Sequence, residues 1–118
     1  MSSNGSSGRV YSLDNFPGGW IVGNFTPVLE HSKSLEVAIK HFTQGQTEPL
    51  HFQQIATEYT AVVTGRCRIG DEVIGPGQIF ELGPGEVSDF EALSDVVLVA
   101  IKTPSIPSDK VMGLPTDG

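Results

Sequence analysis

The sequence has a single cysteine, Cys67, and only three histidines, His31, His41 and His51. One cysteine excludes an internal disulfide and any zinc site built from several thiolates. Three histidines leave few ways to assemble an imidazole-rich metal centre. Basic residues are also scarce: 7 Lys and Arg stand against 14 Asp and Glu, for a net charge of −7. Such a surface repels phosphate backbones and anionic lipid, so no nucleic acid and no membrane is expected as a partner. No apolar run approaches the ~20 residues that span a bilayer. Helical periodicity is missing as well, since no segment of about ten residues keeps a 3.6-residue repeat. The best helical candidate, Gln53 to Thr57, amounts to one turn.

Chain-bending residues are plentiful, with 14 glycines and 8 prolines among 118 residues. They punctuate short stretches rich in β-branched and aromatic residues. Trp20 to Val22, Leu35 to Phe42, Glu58 to Thr64, Cys67 to Ile69, Glu72 to Ile74, Gln78 to Leu82, Val87 to Leu93 and Val96 to Lys102 all read as strands. Gly70-Asp71 gives a two-residue hairpin between two of them. About eight to ten strands with turns every 8–12 residues describe an all-β sandwich or small barrel. The expected division is an N-terminal arm at 1–12, a barrel at 13–103 and a segment at 104–118. That last segment is too proline-rich for a central strand but can seal the barrel with Ile106, Val111, Met112 and Leu114. With no export signal at Met1 to Gly8 and one unpaired Cys67, a cytoplasmic location is expected. Strand alternation turns Cys67 inward, away from Arg66 and Arg68.

One stretch is more specific. Gly45 is followed by five residues, His51, then Gln53, four residues, Glu58, six residues and Gly65. In a strand, residues two apart share a face, so His51 and Gln53 point the same way and Glu58 can return to them from the next strand. This spacing resembles the first motif of the cupin superfamily, which runs glycine, His-x-His, glutamate, glycine. Gln53 stands where that motif has its second histidine. Further on, Gly77 leads through Gly83-Pro84-Gly85 to Ser88 and Ala92. That stretch is similar to the second cupin motif, with the proline displaced by one position, Ser88 in place of histidine and Ala92 in place of asparagine.

The resemblance implies a jelly-roll barrel, the double-stranded β-helix, around one small-molecule cavity, in a homodimer. It also implies a divalent metal, Fe, Mn, Zn or Ni, for which His51, Glu58 and Gln53 would be the ligands. Gln53 offers only a neutral carbonyl oxygen and Ser88 only a hydroxyl, both poor donors to such ions. A metal-free route is therefore equally on the table, with His51 and Glu58 as a catalytic acid–base dyad in which the carboxylate orients the imidazole. Lys40, Gln53, Thr60 and Ser88 are the expected substrate pocket. Either Lys40, with Glu36, Ala38 and Phe42, or His41, with Leu35, Val37 and Ile39, faces the cavity. His31, in a polar stretch, is expected on the surface. Asp89 is expected to point outward unless a bulge near Gly85 turns it in. The function implied is a small-molecule-binding protein, as an isomerase, epimerase or lyase of a sugar or carboxylate, or a non-catalytic sensor or assembly module with a decayed metal site.

Overall fold

The computed structural model of the protein describes residues 7–115. Its strands are β1 (Trp20–Gly23), β2 (Glu30–His31), β3 (Glu36–Phe42), β4 (Thr47–Gln53), β5 (Thr57–Thr64) and β6 (Cys67–Ile69). They continue with β7 (Glu72–Ile74), β8 (Ile79–Leu82), β9 (Ser88–Ala92), β10 (Val96–Thr103) and β11 (Lys110–Met112). The strands form a six-stranded sheet in the order β2-β1-β3-β10-β5-β8 and a five-stranded sheet in the order β11-β4-β9-β6-β7. The strand number exceeds the expected eight to ten because of two very short elements, β2 and β11. Only two 3-10 turns, Leu13–Asn15 and Pro17–Gly19, break the all-β pattern among the described residues.

The central strand of the larger sheet is β10, antiparallel to β3 on one side and to β5 on the other. Its alternate residues Val96, Leu98 and Ala100 are buried, and Lys102 continues the same inward row. Across the ladder, Val96 sits opposite Phe42 and Lys102 opposite Glu36. On the other side Leu98 pairs with Val62, Ala100 with Thr60 and Lys102 with Glu58. The β10 and β5 rows therefore run from apolar to polar in the same direction, while the β3 row sets Lys40 opposite Leu98, between Phe42 and Ala38. Cys67, Ile69, Phe90 and Ala92 from the facing sheet complete an apolar end with Val62, Val96 and Leu98. The opposite end keeps charged side chains.

Two local features depart from the sequence reading. Gln54 to Ala56 form a bend, not a helical turn. The Asp109 carboxylate accepts the backbone N–H of Ile55 at 2.9 Å and of Ala56 at 2.9 Å, which satisfies two donors of the bend without a helical turn. In the C-terminal segment, β11 pairs with β4 at the sheet edge. Ile106 and Val111 are half-buried, but Met112 and Leu114 are exposed, so anchoring by Asp109 replaces much of the expected apolar seal. Residues 1–6 of the expected arm and 116–118 lie outside the described residues; residues 7–12 carry no regular structure.

The turn glycines are required to different degrees. Gly65 has φ +82° and Gly77 has φ +83°. A Cβ on Gly65 would collide with the Asp95 carbonyl oxygen, whereas one on Gly77 meets open space. The left-handed conformation costs a non-glycine residue about 1 kcal/mol, and a backbone collision adds to it. Gly65→Ala should therefore lower stability by about 3 kcal/mol and Gly77→Ala by about 1 kcal/mol in urea denaturation. Equal losses at the two positions would refute this account.

Candidate functional site

The inward rows bring Lys40, Glu48, His51, Glu58, Thr60 and Ser88 into the barrel. His51, Ser88, Glu58, Thr60 and Glu48 line one cavity of about 40 Å³, with Phe80, Leu82 and Phe90 as apolar walls. Lys40, Glu48, Glu58 and Thr60 line an adjoining cavity of about 40 Å³ with Phe42, Leu98 and Ala100. Gln53 does not line either one. It faces a third cavity of about 180 Å³ with Glu36, Lys102, Asp109 and Lys110.

The two open alternatives on β3 resolve by register. Glu36 and Ala38 are buried and Lys40 is half-buried on the cavity side, while His41 is exposed. His41 is thus removed from the cavity, and His31 is exposed as expected. Lys40 Nζ donates to the Gly18 carbonyl at 3.2 Å and lies 5.0 Å from the Trp20 ring centroid. Burial lowers the Lys40 pKa; Lys110 and Lys102 push the same way, while Glu48 and Glu58 oppose them. Phe25 packs edge-on against Trp20 with centroids 6.1 Å apart.

His51 is 6 % exposed. Its Nδ1 lies 3.0 Å from the Pro49 carbonyl oxygen. A carbonyl can only accept, so Nδ1 carries the proton in the neutral ring and Nε2 keeps its lone pair. The sequence reading gave that orienting role to Glu58. Glu58 shares the cavity, but no His51–Glu58 hydrogen bond is formed among the described residues, and Pro49 sets the tautomer instead.

Glu48 is the residue that sequence parity misses. Regular alternation puts positions 48 and 51 on opposite faces. The β4–β9 register, however, shifts between Glu48 and His51, where Pro49 has no N–H to give the ladder. Glu48 then pairs with Phe90 and His51 with Ser88, so both turn inward. Proline inside an otherwise strand-like run was the available signal. Asp89 does point outward: its carboxylate accepts from Arg68 Nη1 at 2.8 Å, and that hydrogen bond holds its pKa below the usual carboxylate range. Cys67 is fully buried, and burial pushes its thiol pKa up, as befits an unreactive core residue.

The donor set does not fit a resident divalent ion. Among the described residues, no three His, Cys, Asp or Glu side chains come together as a metal cluster. Of the three expected ligands, His51 and Glu58 share a cavity while Gln53 lines another. Glu48 adds a second carboxylate to the His51–Glu58 cavity, but the three side chains line its walls without converging on one point, which makes a weak site for first-row ions.

Solved structures with the same architecture are numerous. A double-stranded β-helix protein from Klebsiella pneumoniae aligns with TM-score 0.67 at 17% identity, over 91% of this chain and 93% of that one. KdgF from a Halomonas species aligns with TM-score 0.61 at 18% identity, over 64% and 75% of the two chains. The Bacillus subtilis oxalate decarboxylase, a protein with Mn(II) centres, aligns with TM-score 0.62 at 15% identity, over 69% of this chain and 24% of that one. At these identities the likeness is one of fold. The protein has the cupin fold, an all-β jelly roll. No family model and no curated protein matches the sequence.

The Lys40 environment gives a direct check. Its ammonium should titrate below the ordinary lysine value of about 10.4 in NMR of ¹³C-dimethylated lysines. Folded Lys40 then releases its proton more readily than the unfolded chain, so its contribution to stability grows as pH rises from its folded to its unfolded pKa. A titration at or above the ordinary value would contradict a buried ammonium. For metals, protein purified in Mn(II)- or Zn(II)-supplemented buffer and then gel-filtered should carry far less than one ion per chain. A retained stoichiometric ion would overturn the donor-set argument.

Proposed function

We propose that this protein binds a small carboxylate- or carbonyl-bearing molecule inside the barrel and can move a proton on it without a metal. The observation that carries the reading is the set of polar side chains turned inward where a packed core would place apolar ones. Lys40, Glu48, His51, Glu58, Thr60 and Ser88 all face the two central cavities. No ion pair joins Lys40, Glu48 and Glu58 among the described residues, so their charges are available to a ligand.

Lys40 would hold a carboxylate or stabilise an enolate oxygen. His51 Nε2, unprotonated in the neutral ring, would take the proton beside the carbonyl. Glu58 would stabilise the imidazolium that results, and Thr60 and Ser88 would orient ligand oxygens. This is isomerase, epimerase or lyase chemistry. Cavities of about 40 Å³ admit a carboxylate-sized group rather than a whole sugar ring, which favours the carboxylate over the sugar substrate. A divalent ion, as in the Mn(II)-containing oxalate decarboxylase, has no part in these steps.

The same small volume supports a second reading, a non-catalytic cupin-fold sensor or assembly module. A homodimer is consistent with either reading. The outer face of the six-stranded sheet presents Val97, Val99 and Ile101, with exposed Val63 and Ile79 beside them. No described helix is long and apolar enough to cross a membrane. A cytoplasmic setting is part of the proposal.

The test is deuterium exchange at the carbon next to the carbonyl, followed by NMR in D₂O with a panel of small keto acids, aldoses and ketoses. Wild-type protein should accelerate exchange in at least one keto acid by about a hundredfold over buffer. His51→Ala should abolish that acceleration and Lys40→Met should raise the concentration needed for it. Ligand binding without exchange would leave the sensor reading. Neither binding nor exchange across the panel would sink both.

A further inference from the structure

Gln53 is the most unusual side chain in the molecule. It is 1 % exposed, and neither its amide nitrogen nor its amide oxygen has a hydrogen-bond partner. An amide buried without partners costs roughly 1–3 kcal/mol, so such groups ordinarily find a protein, water or ligand counterpart. Its strand is held on both edges, by Gly85 N–H donating to the Gln53 carbonyl at 2.8 Å and by pairing with Lys110. The residue is thus fixed in the wall of the 180 Å³ cavity, with its amide atoms just beneath the cavity surface.

That cavity has three other polar groups whose capacity is unspent. Glu36 is 7 % exposed and accepts a hydrogen bond from Ser105 Oγ at 3.1 Å. Lys102 stands between Glu36 and Glu58 in register, yet forms no ion pair among the described residues. Its ammonium lies 5.2 Å from the Trp20 ring centroid. Lys110 adds a second ammonium at the rim. Asp109, also on the cavity wall, is engaged with Ile55 and Ala56 and fastens the Ile106–Lys110 stretch as a roof.

We infer that this cavity, distinct from the His51–Lys40 centre, is a binding site for a short 2-hydroxycarboxylate. The ligand carboxylate lies against the Lys102 ammonium. Its hydroxyl donates to Glu36. Gln53 closes the set from the third side by turning its amide out of the wall, its Nε2 then donating to a carboxylate oxygen. The cavity volume equals about six waters, which matches an acid of about six non-hydrogen atoms. A purely apolar ligand would leave Gln53, Glu36 and Lys102 without partners, and a simple inorganic anion would use Lys102 but face Glu36 unfavourably.

Lactate is the probe, followed by isothermal titration and by the fluorescence of Trp20, the chain's one tryptophan. Propionate lacks the hydroxyl and propane-1,2-diol lacks the carboxylate, so each should bind at least tenfold more weakly than lactate. Gln53→Met and Lys102→Met should each weaken lactate binding at least tenfold, while His51→Ala changes it less than twofold. Gln53→Met should also raise the melting temperature without ligand, since it removes the unpartnered amide and confirms that the variant folds. Loss of binding in His51→Ala with retention in Lys102→Met would assign lactate to the central cavities and overturn the inference. No binding at tens of millimolar lactate, with ordered water alone satisfying Gln53 in a crystal structure, would overturn it too.

Discussion

The register of one strand organises the molecule. β10 pairs antiparallel with both β3 and β5, so a one-residue slip would turn Val96, Leu98 and Ala100 out and Val97, Val99 and Ile101 in. Hydrophobicity alone tolerates either register poorly discriminated, because β10 is apolar on both faces. The charged residues break that tie. In the observed register Lys102 lies between Glu36 and Glu58, which gathers three charged side chains at one end of the ladder. Slipping the strand would put Lys102 on the outer face and leave the two inward carboxylates with no cation across the ladder. The polar end is therefore a structural constraint, and Lys40 is the one charged inward side chain of β3, β5 and β10 that lies away from it.

The strand pattern and the barrel were legible because their signals are local. Glycines with obligatory positive φ, such as Gly65, mark the turns, and alternation in Leu35 to Phe42 marks a half-buried strand. The motif spacing located His51 and Glu58 on one cavity, and Lys40, Thr60 and Ser88 line the same central region. What the sequence left open was parity. Whether Lys40 or His41 faced inward depends on the partner strand, which is a tertiary fact. Glu48 was invisible because the bulge at Pro49 breaks the alternation on which the inference rested. Gln53 kept its predicted inward direction and parted from His51 only because the two side chains, two residues apart, open onto different cavities.

The two departures from the cupin motif have a common physical meaning. Replacing imidazoles by an amide at Gln53 and a hydroxyl at Ser88 removes soft nitrogen donors and leaves groups that both give and accept hydrogen bonds. Such groups discriminate by geometry and by the penalty of staying unpartnered rather than by metal affinity. Ser88 is buried against His51 in the ladder, and Gln53 is buried over Lys102 and Glu36. The spacing of the motif is thus kept at Gln53 and Ser88 while the chemistry at those positions differs.

Charge distribution bears on which ligands can reach these positions. The chain carries a net charge of −7, yet Lys40, Lys102 and Lys110 all line the polar cavities. At physiological salt, surface charges are screened within about 8 Å, so an anion feels the acidic exterior only weakly on approach. Inside, the dielectric is lower and each ammonium acts with less screening. Lys40 shows the other side of that balance, since burial disfavours its charged form until an anion arrives. A bound carboxylate would restore the lysine's charge preference, so occupancy and fold stability would be coupled through that ammonium group. The same cavities also hold Glu36, Glu48, Glu58 and Asp109, so a ligand there meets both signs of charge.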